Sequence, residues 1–582
     1  VPYKKGDQTY NVDYKNFAPS FGFPWTPSAN DGWLGRLTGG GGQTVVRAGY
    51  SIAYNRNGLA DFSGTLGANP GSSISANRDM TIGNLSPISE LPVLLRQTGR
   101  LGPPQFADKP IYPITEVITG DANIFDPNLK VPYSQSWSFG IQREISKNMA
   151  FEVRYVGTRN LRSWTDYNLN DVEQNIVENG FLNEFKLAQA NLQANIAAGR
   201  GNTFRYFGPN TNTSPLPITL SYIGGKVDPN LASSYTSAVI GSTAANLFSN
   251  TTTFVNHLAV NNPAPLTFAA NLHSDAGRRN NALAANRAPN FFLTNPDLRG
   301  GVFFTGNGGY TRYDSMQVEF RRRLSQGLLI QSNYTWAKSF ASSRFSFRVP
   351  RVNTLNDGSP GYVAHAFKVN WVYELPIGRG RALFGGAGRV LDRIVGGWEF
   401  HGTGRVQSGQ VLNFGNVNLV GMTQDEFRKE FKLRFDDAKG VVYHLPQDII
   451  DNTIKAFSVS ATTSDGYTRG APTGRYIAPA NSRTCIQVAA GDCAPQTLYV
   501  TGPMYTRFDL SAVKRFKITE KINFELRGEF LNAFNNINFL ANTNMTNFNN
   551  DLFGQVTSAY TDSSNTQDPG GRLIQIVARF NF

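Results

Sequence analysis

Few residues in this chain are arranged to make or break bonds. The two cysteines, Cys485 and Cys493, flank a short turn-like segment containing Ala489, Ala490 and Gly491. No histidine lies near them, so a local disulfide in an oxidising compartment is favoured over a metal site. The histidines, His257, His273, His365, His401 and His444, are dispersed. There is no HExxH and no phosphate loop, and Ser and Asp are abundant without a nucleophile motif. GRGR (378–381) and GAGR (386–389) sit in a turn, not between a strand and a helix, so their glycines read as turn residues. The expectation is a protein that is not an enzyme and that carries no catalytic residue, metal or cofactor.

What remains is charge placed at every second position. Glu152, Arg154, Glu319, Arg321, Glu374, Arg405, Arg507, Asp509, Glu525, Arg527 and Glu529 lie in segments where apolar and polar residues alternate. In residues 522–530, Ile522, Phe524, Leu526, Gly528 and Phe530 alternate with Asn523, Glu525, Arg527 and Glu529. Period-two alternation is the mark of a strand with two unlike faces. One such strand fits a soluble sandwich as well as a membrane barrel. In a barrel the charges face a wet lumen, because a charge against mid-bilayer hydrocarbon costs about 2–4 kcal/mol. Opposite charges on neighbouring strands are then expected to pair.

Eleven such strands are predicted, at 16–25, 44–55, 133–145, 149–158, 312–324, 328–338, 364–375, 397–408, 505–518, 521–534 and 572–582. Most approach the roughly 9–11 residues that cross a bilayer at a tilt. Their connections alternate in size. Tight turns fall at Ser146–Asn148, Ser325–Gly327 and Thr519–Glu520, and moderate ones at Thr26–Gln43 and Ile377–Gly396. Long connections fall at 56–132, 159–311, 339–363, 409–504 and 535–571. Every long connection therefore belongs to one end of the sheet, which is the topology of an outer-membrane barrel: short turns in the periplasm, long loops outside. The last strand carries Ile574, Ile576, Ala578, Phe580 and Phe582 on one face, and Phe580 with Phe582 reads as the barrel-assembly signal. Two loop segments have helical spacing: 183–200, with Phe185, Leu187, Leu192 and Ile196 on one face, and 424–436, with Phe427, Phe431 and Leu433.

The fold class expected is therefore all-β, the C-terminal portion of an antiparallel transmembrane outer-membrane β-barrel with long extracellular loops that carry short helices. Residues 1–582 are read as part of one barrel domain, with large extracellular loops at about 56–132, 159–311 and 409–504. An odd strand count does not close neatly, since single-chain bacterial barrels have an even number. The chain, which starts abruptly at Val1, is expected to begin in mid-barrel, and the missing strands would bring the total to about 22.

Several segments resemble the Oar-like TonB-dependent receptors, large outer-membrane proteins common in Acidobacteria. They are DPNLKVPYSQSWSFGIQREISKNMAFEVRYVGTRN (126–160), YDSMQVEFRRRLSQGLLIQSNYTWAKSF (313–340), HAFKVNWVYELPIGRGR (365–381), GGWEFHGTGRVQSGQ (396–410) and FELRGEFLNAFNNINF (524–539). With QTVVRAGYSIAYNR (43–56) and the terminal Phe582, the resemblance spans nearly the whole chain. It implies active uptake of an unidentified substrate across the outer membrane of a Gram-negative bacterium. It also implies an N-terminal plug and first barrel strands, absent from this sequence, through which TonB would act. The family's last strand favours Gly where this sequence has Val577. Two other functions share the fold: a passive pore, and a surface-structural or adhesive barrel acting through its outer loops.

Bulk composition agrees. Of 582 residues, 17% are charged, against about 25% in soluble domains. Aromatics reach 12%, and no apolar run of about 18 residues exists to form a transmembrane helix. The net charge of +13 is scattered rather than clustered, which argues against nucleic acid. The expected partners are outer-membrane lipid and lipopolysaccharide, whose phosphates suit basic side chains, together with the missing plug and barrel half.

Overall fold

A computed structural model describes the chain except residues 1–7, 9, 29, 56–58, 68, 70–93, 95, 98–119, 344–345, 350–351, 356–362, 410, 519–521, 540–542, 557–569 and 582. Its centre is one antiparallel sheet of eleven consecutive strands. They are β1 (Ser20–Trp25), β2 (Thr44–Tyr54), β3 (Tyr133–Ser146), β4 (Met149–Asn168), β5 (Gly301–Ser325), β6 (Leu328–Ser343), β7 (His365–Glu374), β8 (Trp398–Gln407), β9 (Tyr505–Lys517), β10 (Asn523–Leu531) and β11 (Leu573–Asn581). Each pairs with the next in chain order, and the sheet stays open, with β1 and β11 at its two edges. A short strand, Asp121–Phe125, adds in parallel to the start of β5, and Val352–Leu355 pairs with the end of β6.

The two faces of the sheet are chemically unlike, as alternation demands. Ile141 pairs with Val153, Val153 with Val318, Val318 with Tyr334 and Tyr334 with Phe367, so one row of apolar residues crosses five strands. The next row runs Phe139, Tyr155, Met316, Trp336. These side chains are not packed into a core: Phe139 is 49% exposed and Trp336 53%. Aromatic rings spread over this face where small residues make room. The Trp371 ring lies across Gly402, where any Cβ would collide with it.

Turn chemistry sets the register. β5 and β6 are joined by Gln326 and Gly327, both with positive φ (52° and 79°), the two-residue turn whose twist matches that of the strands. The connections alternate as the sequence predicts, with two-residue turns after Ser146 and Ser325 and moderate connections after Trp25 and Glu374 at one end, and the long excursions at the other.

The long connections are folded. Between β4 and β5 lie α1 (Phe181–Ala197), α2 (Pro217–Gly224), α3 (Pro265–Ser274) and α4 (Ala276–Ala284). They close over a core that includes Phe181, Phe185, Leu192, Phe204, Phe254, Phe268 and Phe292, each at most 1% exposed. Between β8 and β9 lie α5 (Gln424–Glu430) and α6 (Gln447–Phe457), whose core of Phe414, Phe427, Ile449 and Ile477 also takes in Met545 and Phe553 from the β10–β11 connection. Both cores belong to connections, and neither includes the apolar face of the sheet.

Four expectations need correction. β4 and β5 run on to Asn168 and back to Gly301, so the connection is shorter than 159–311. Bulges at Asn160, Ser163 and Thr165 break the alternation there and hide the strands from a period-two search. Leu187 is 41% exposed, because α1 buries Glu184, Ala188, Gln189 and Asn191 beside Phe185 and Leu192 instead. The 424–436 segment is helical only to Glu430, and Arg434–Asp436 is a strand, with Phe431 ending the helix. Pairing of charges runs partly along strands rather than between them, as set out below. Phe582, the Thr519–Glu520 turn and most of 56–132 lie outside the described residues.

Candidate functional site

All eleven charged residues singled out by spacing share one face of the sheet. The register carries Glu152 to Glu319, Glu319 to Asn333, Asn333 to Lys368, Lys368 to Arg405 and Arg405 to Arg507 in one continuous row. Arg154 and Arg321 are two positions along from members of that row, and Asp509, Glu529, Arg527, Glu525 and Glu374 follow on the same side through β9, β10 and the β7–β8 pairing. The row is polarised, with carboxylates on β4 and β5 and three cations on β7, β8 and β9.

Like charges placed opposite one another repel, and each is resolved locally. Glu152 and Glu319 turn along their own strands, to Arg154 Nε at 3.7 Å and Arg321 Nε at 3.2 Å. Arg507 turns to Asp509 at 3.0 Å, whose Oδ1 also accepts from the Asn532 amide at 2.7 Å. Arg405 donates to Gln407 at 2.7 Å and lies 5.1 Å from the Tyr505 ring centre. Glu374 meets Arg381 of the following turn at 3.6 Å.

Nearer the short-turn end the pairing does cross strands. Arg515 bridges Glu399 and Glu525 across strands, and Arg527 links Glu525 and Glu529 along β10, at 2.8 Å and 3.3 Å. His401 Nε2 lies 2.8 Å from Glu399. Two arginines, one on β9 and one on β10, thus sit between three carboxylates, one on β8 and two on β10. Arg515, Glu399, His401 and Lys368 belong to this face although spacing did not single them out; the signal was present, since each falls in register with a residue that was chosen. A hollow of about 350 Å³ opens beside this ladder, lined on the charged face by Asn370, His401, Thr403, Asp509, Ser511 and Glu529. It offers hydrogen-bond donors and acceptors and a carboxylate pair, which suits holding a polar solute. Among the described residues no group of three or more His, Cys, Asp or Glu side chains is placed to hold a metal ion.

On the connections, Cys485 and Cys493 are joined in a disulfide. Ile486 and Val488, inside the bridged segment, pack on the α1–α4 core, and Asn481 donates to Pro263 O at 2.8 Å. The bridge therefore shapes the contact between the two largest connections. Closing a loop this short stabilises by about 2–3 kcal/mol. Cys485→Ser with Cys493→Ser is expected to lower the melting temperature of the connections while the sheet still assembles, read by calorimetry of the detergent-solubilised chain.

The second core contains a buried imidazole. His444 is fully buried, stacks on Phe431 at 4.9 Å, and has no hydrogen-bond partner on either ring nitrogen. Burial pushes its pKa down from 6.5 to about 4. The unfolded state thus binds a proton that the folded state refuses. The neutral ring's stability is complete above pH 6.5 and is lost as pH falls toward 4. Allowing for screening, the loss is about 2 kcal/mol. Acid is expected to loosen this core, and His444→Leu should flatten the pH dependence of its amide hydrogen exchange.

Comparison with known proteins bears on the fold. The outer membrane transporter YddB from Escherichia coli aligns over 97% of this chain and 40% of its own, at 9% identity and a TM-score of 0.33. A mutant of the ferric enterobactin receptor PfeA from Pseudomonas aeruginosa aligns over 97% and 40%, at 8% and 0.31. The FrpB iron transporter from Neisseria meningitidis aligns over 97% and 39%, at 9% and 0.30. This chain thus spans less than half the length of each. No curated protein matches it. Among the described residues no helix is long and apolar enough to cross a membrane. The family described as "Outer membrane beta barrel domain" matches residues 2–575, and the chain, with its two-faced antiparallel sheet, belongs to that family.

Proposed function

We propose that this chain is the C-terminal barrel part of an outer-membrane transporter of the TonB-dependent-receptor type, of the Oar-like kind in its sequence motifs, which takes up a polar substrate and performs no catalysis. The observation that carries this is the charged face: the eleven residues chosen by spacing, joined by Lys368, Glu399 and Arg515, on one side, and an apolar row on the other. The charged side faces the lumen, and its polarised row and hollow are built for a solvated, hydrogen-bonding cargo. The long connections face the outside of a Gram-negative cell, against lipopolysaccharide, and the C-terminus lies in the periplasm. Upstream strands complete the wall, and a plug held against the charged face links it to TonB. Similarity in fold to iron and siderophore receptors is consistent with this and selects no substrate.

The folded connections favour a second role, capture of a partner or substrate at the surface before it enters. A flexible loop would need no core of its own, whereas these have two.

The test has two arms on the full reading frame in lipid bilayers. Gln317→Cys should react with a membrane-impermeant thiol reagent and Val318→Cys only with a lipid-soluble one. Reaction in the reverse order overturns the lumen assignment. Planar bilayers should show a closed barrel, and a steady open conductance would replace uptake with a passive pore.

A further inference from the structure

We infer that the β4–β5 connection holds a binding pocket for a small organic carboxylate, separate from the charged face of the sheet and independent of the transport reading. Its cavity of about 260 Å³ is lined by Tyr222, His273, Arg279, Leu283, Pro289 and Asp297, contributed by α2, α3, α4 and the segment after α4. A space of that size takes on the order of ten non-hydrogen atoms.

Three features point to an anion with an apolar body. First, His273 is 5% exposed, and neither of its ring nitrogens has a hydrogen-bond partner. Buried polar atoms are almost always paired, and leaving one unpaired costs about 1–3 kcal/mol. A ligand oxygen accepting from the ring would recover that cost. Second, two guanidiniums act on the buried ring, Arg279 in the lining and Arg299 beside it, against one lining carboxylate, Asp297. Arg279 spends Nη1 on the His273 and Ser274 carbonyls, at 2.8 and 2.9 Å, which fixes the guanidinium plane at the rim and leaves Nη2 for a carboxylate. Arg299 Nη1 likewise holds Ser274 O, at 2.6 Å, while its buried Nε is unpaired. Third, Tyr222, Leu283, Pro289 and Pro296 supply apolar lining, against which the body of the ligand would lie. Burial first, then Arg279 and Arg299, hold the His273 pKa down to about 4 and keep the ring neutral, while the two guanidiniums repel each other, a repulsion that a bound anion would relieve.

The test uses the unmodified full chain, folded in detergent, with ¹⁵N-labelled histidine and benzoate as the probe. Of the five histidine rings, one should shift and saturate, and His273→Gln should remove that signal. Benzamide, of the same shape without the charge, should bind at least about tenfold more weakly, since a hydrogen bond to a charged group is worth about 1.5–3 kcal/mol. Arg279→Gln should weaken benzoate by a similar factor, and Arg279→Lys by less. Benzamide binding as well as benzoate, no histidine shift at all, or a shift only at another histidine would each overturn the proposal. So would inorganic phosphate competing as strongly as benzoate, which would indicate a bare anion site. The wild-type titration stands even if a variant fails to fold.

Discussion

Val153→Arg is expected to block insertion of the sheet into a bilayer, while Gln317→Arg on the neighbouring strand is expected to be tolerated. Val153 and Arg154 are adjacent in sequence and point to opposite faces. Val153 sits in the middle of the apolar row, between Ile141 and Val318. Arg154 is paired with Gln317 on the other side. Arg154 is therefore the native control: the chain already carries a guanidinium one position away. Moving it by one residue transfers the charge from water to hydrocarbon, at about 2–4 kcal/mol near the bilayer midplane. Gln317→Arg puts the same group on the charged face, opposite Arg154 but in water and two positions from Glu319, so the cost is a screened repulsion rather than burial of a charge in hydrocarbon. The measurement is folding into lipid vesicles, followed by protease protection. Equal insertion of both variants would mean that the apolar row does not contact lipid, and the membrane reading of the sheet would fall with it.

The same alternation explains what could and could not be read in advance. All eleven sheet strands were legible because each crosses a layer in which one face must be apolar and the other wet. That constraint prints period two on the sequence. Beyond the layer it lapses. Above Thr158 the β4–β5 pair continues, with Ser163 opposite Gly309 and Thr165 opposite Gly306, and the register shifts there leave no alternation to mark it. The shared face of Glu152, Glu319, Arg405 and Arg507 was legible for the same reason. Their partners were not. Whether a carboxylate turns along its strand or across to the next depends on what the register sets opposite it, and register between strands separated by long connections is a tertiary fact. Glu152 faces Glu319 and so turns to Arg154, whereas Glu525 faces Arg515 and bridges to it. The folded connections were the least legible part. Of the α1–α4 group only α1 has a long amphipathic run; α2 and α3 begin at prolines and bury nearly all round or along a short stripe, so neither gives a helical period to find.

Glu184→Ala is expected to unfold the β4–β5 connection, with a loss of about 3–6 kcal/mol. The reason lies in a complete account of donors at the start of α2. Pro217 occupies the first helical position and has no N–H to satisfy. Leu220 N is the first to bond within the helix, to Leu216 O at 2.9 Å. The two amides between them, of Ile218 and Thr219, have no intrahelical acceptor and are buried. Glu184, reaching across from α1, accepts both, with one carboxylate oxygen to each at 2.6 Å. Burial pushes the Glu184 pKa up, and the two amides pull it back only in part. The helix N-terminus adds its own preference for negative charge. Removing the side chain leaves two buried donors unpaired, each worth about 1.5–3 kcal/mol when its acceptor is charged. Glu184→Gln keeps the volume and one acceptor oxygen but presents an NH₂ to the other amide, so it should cost less than alanine and more than nothing. Amide hydrogen exchange of Ile218 and Thr219 reads the effect directly. If both stay protected in Glu184→Ala, the carboxylate is not what caps α2. If instead the apolar core around Phe185 and Phe268 opens together with them, one buried acid is holding together two helices that the core alone would leave free to part.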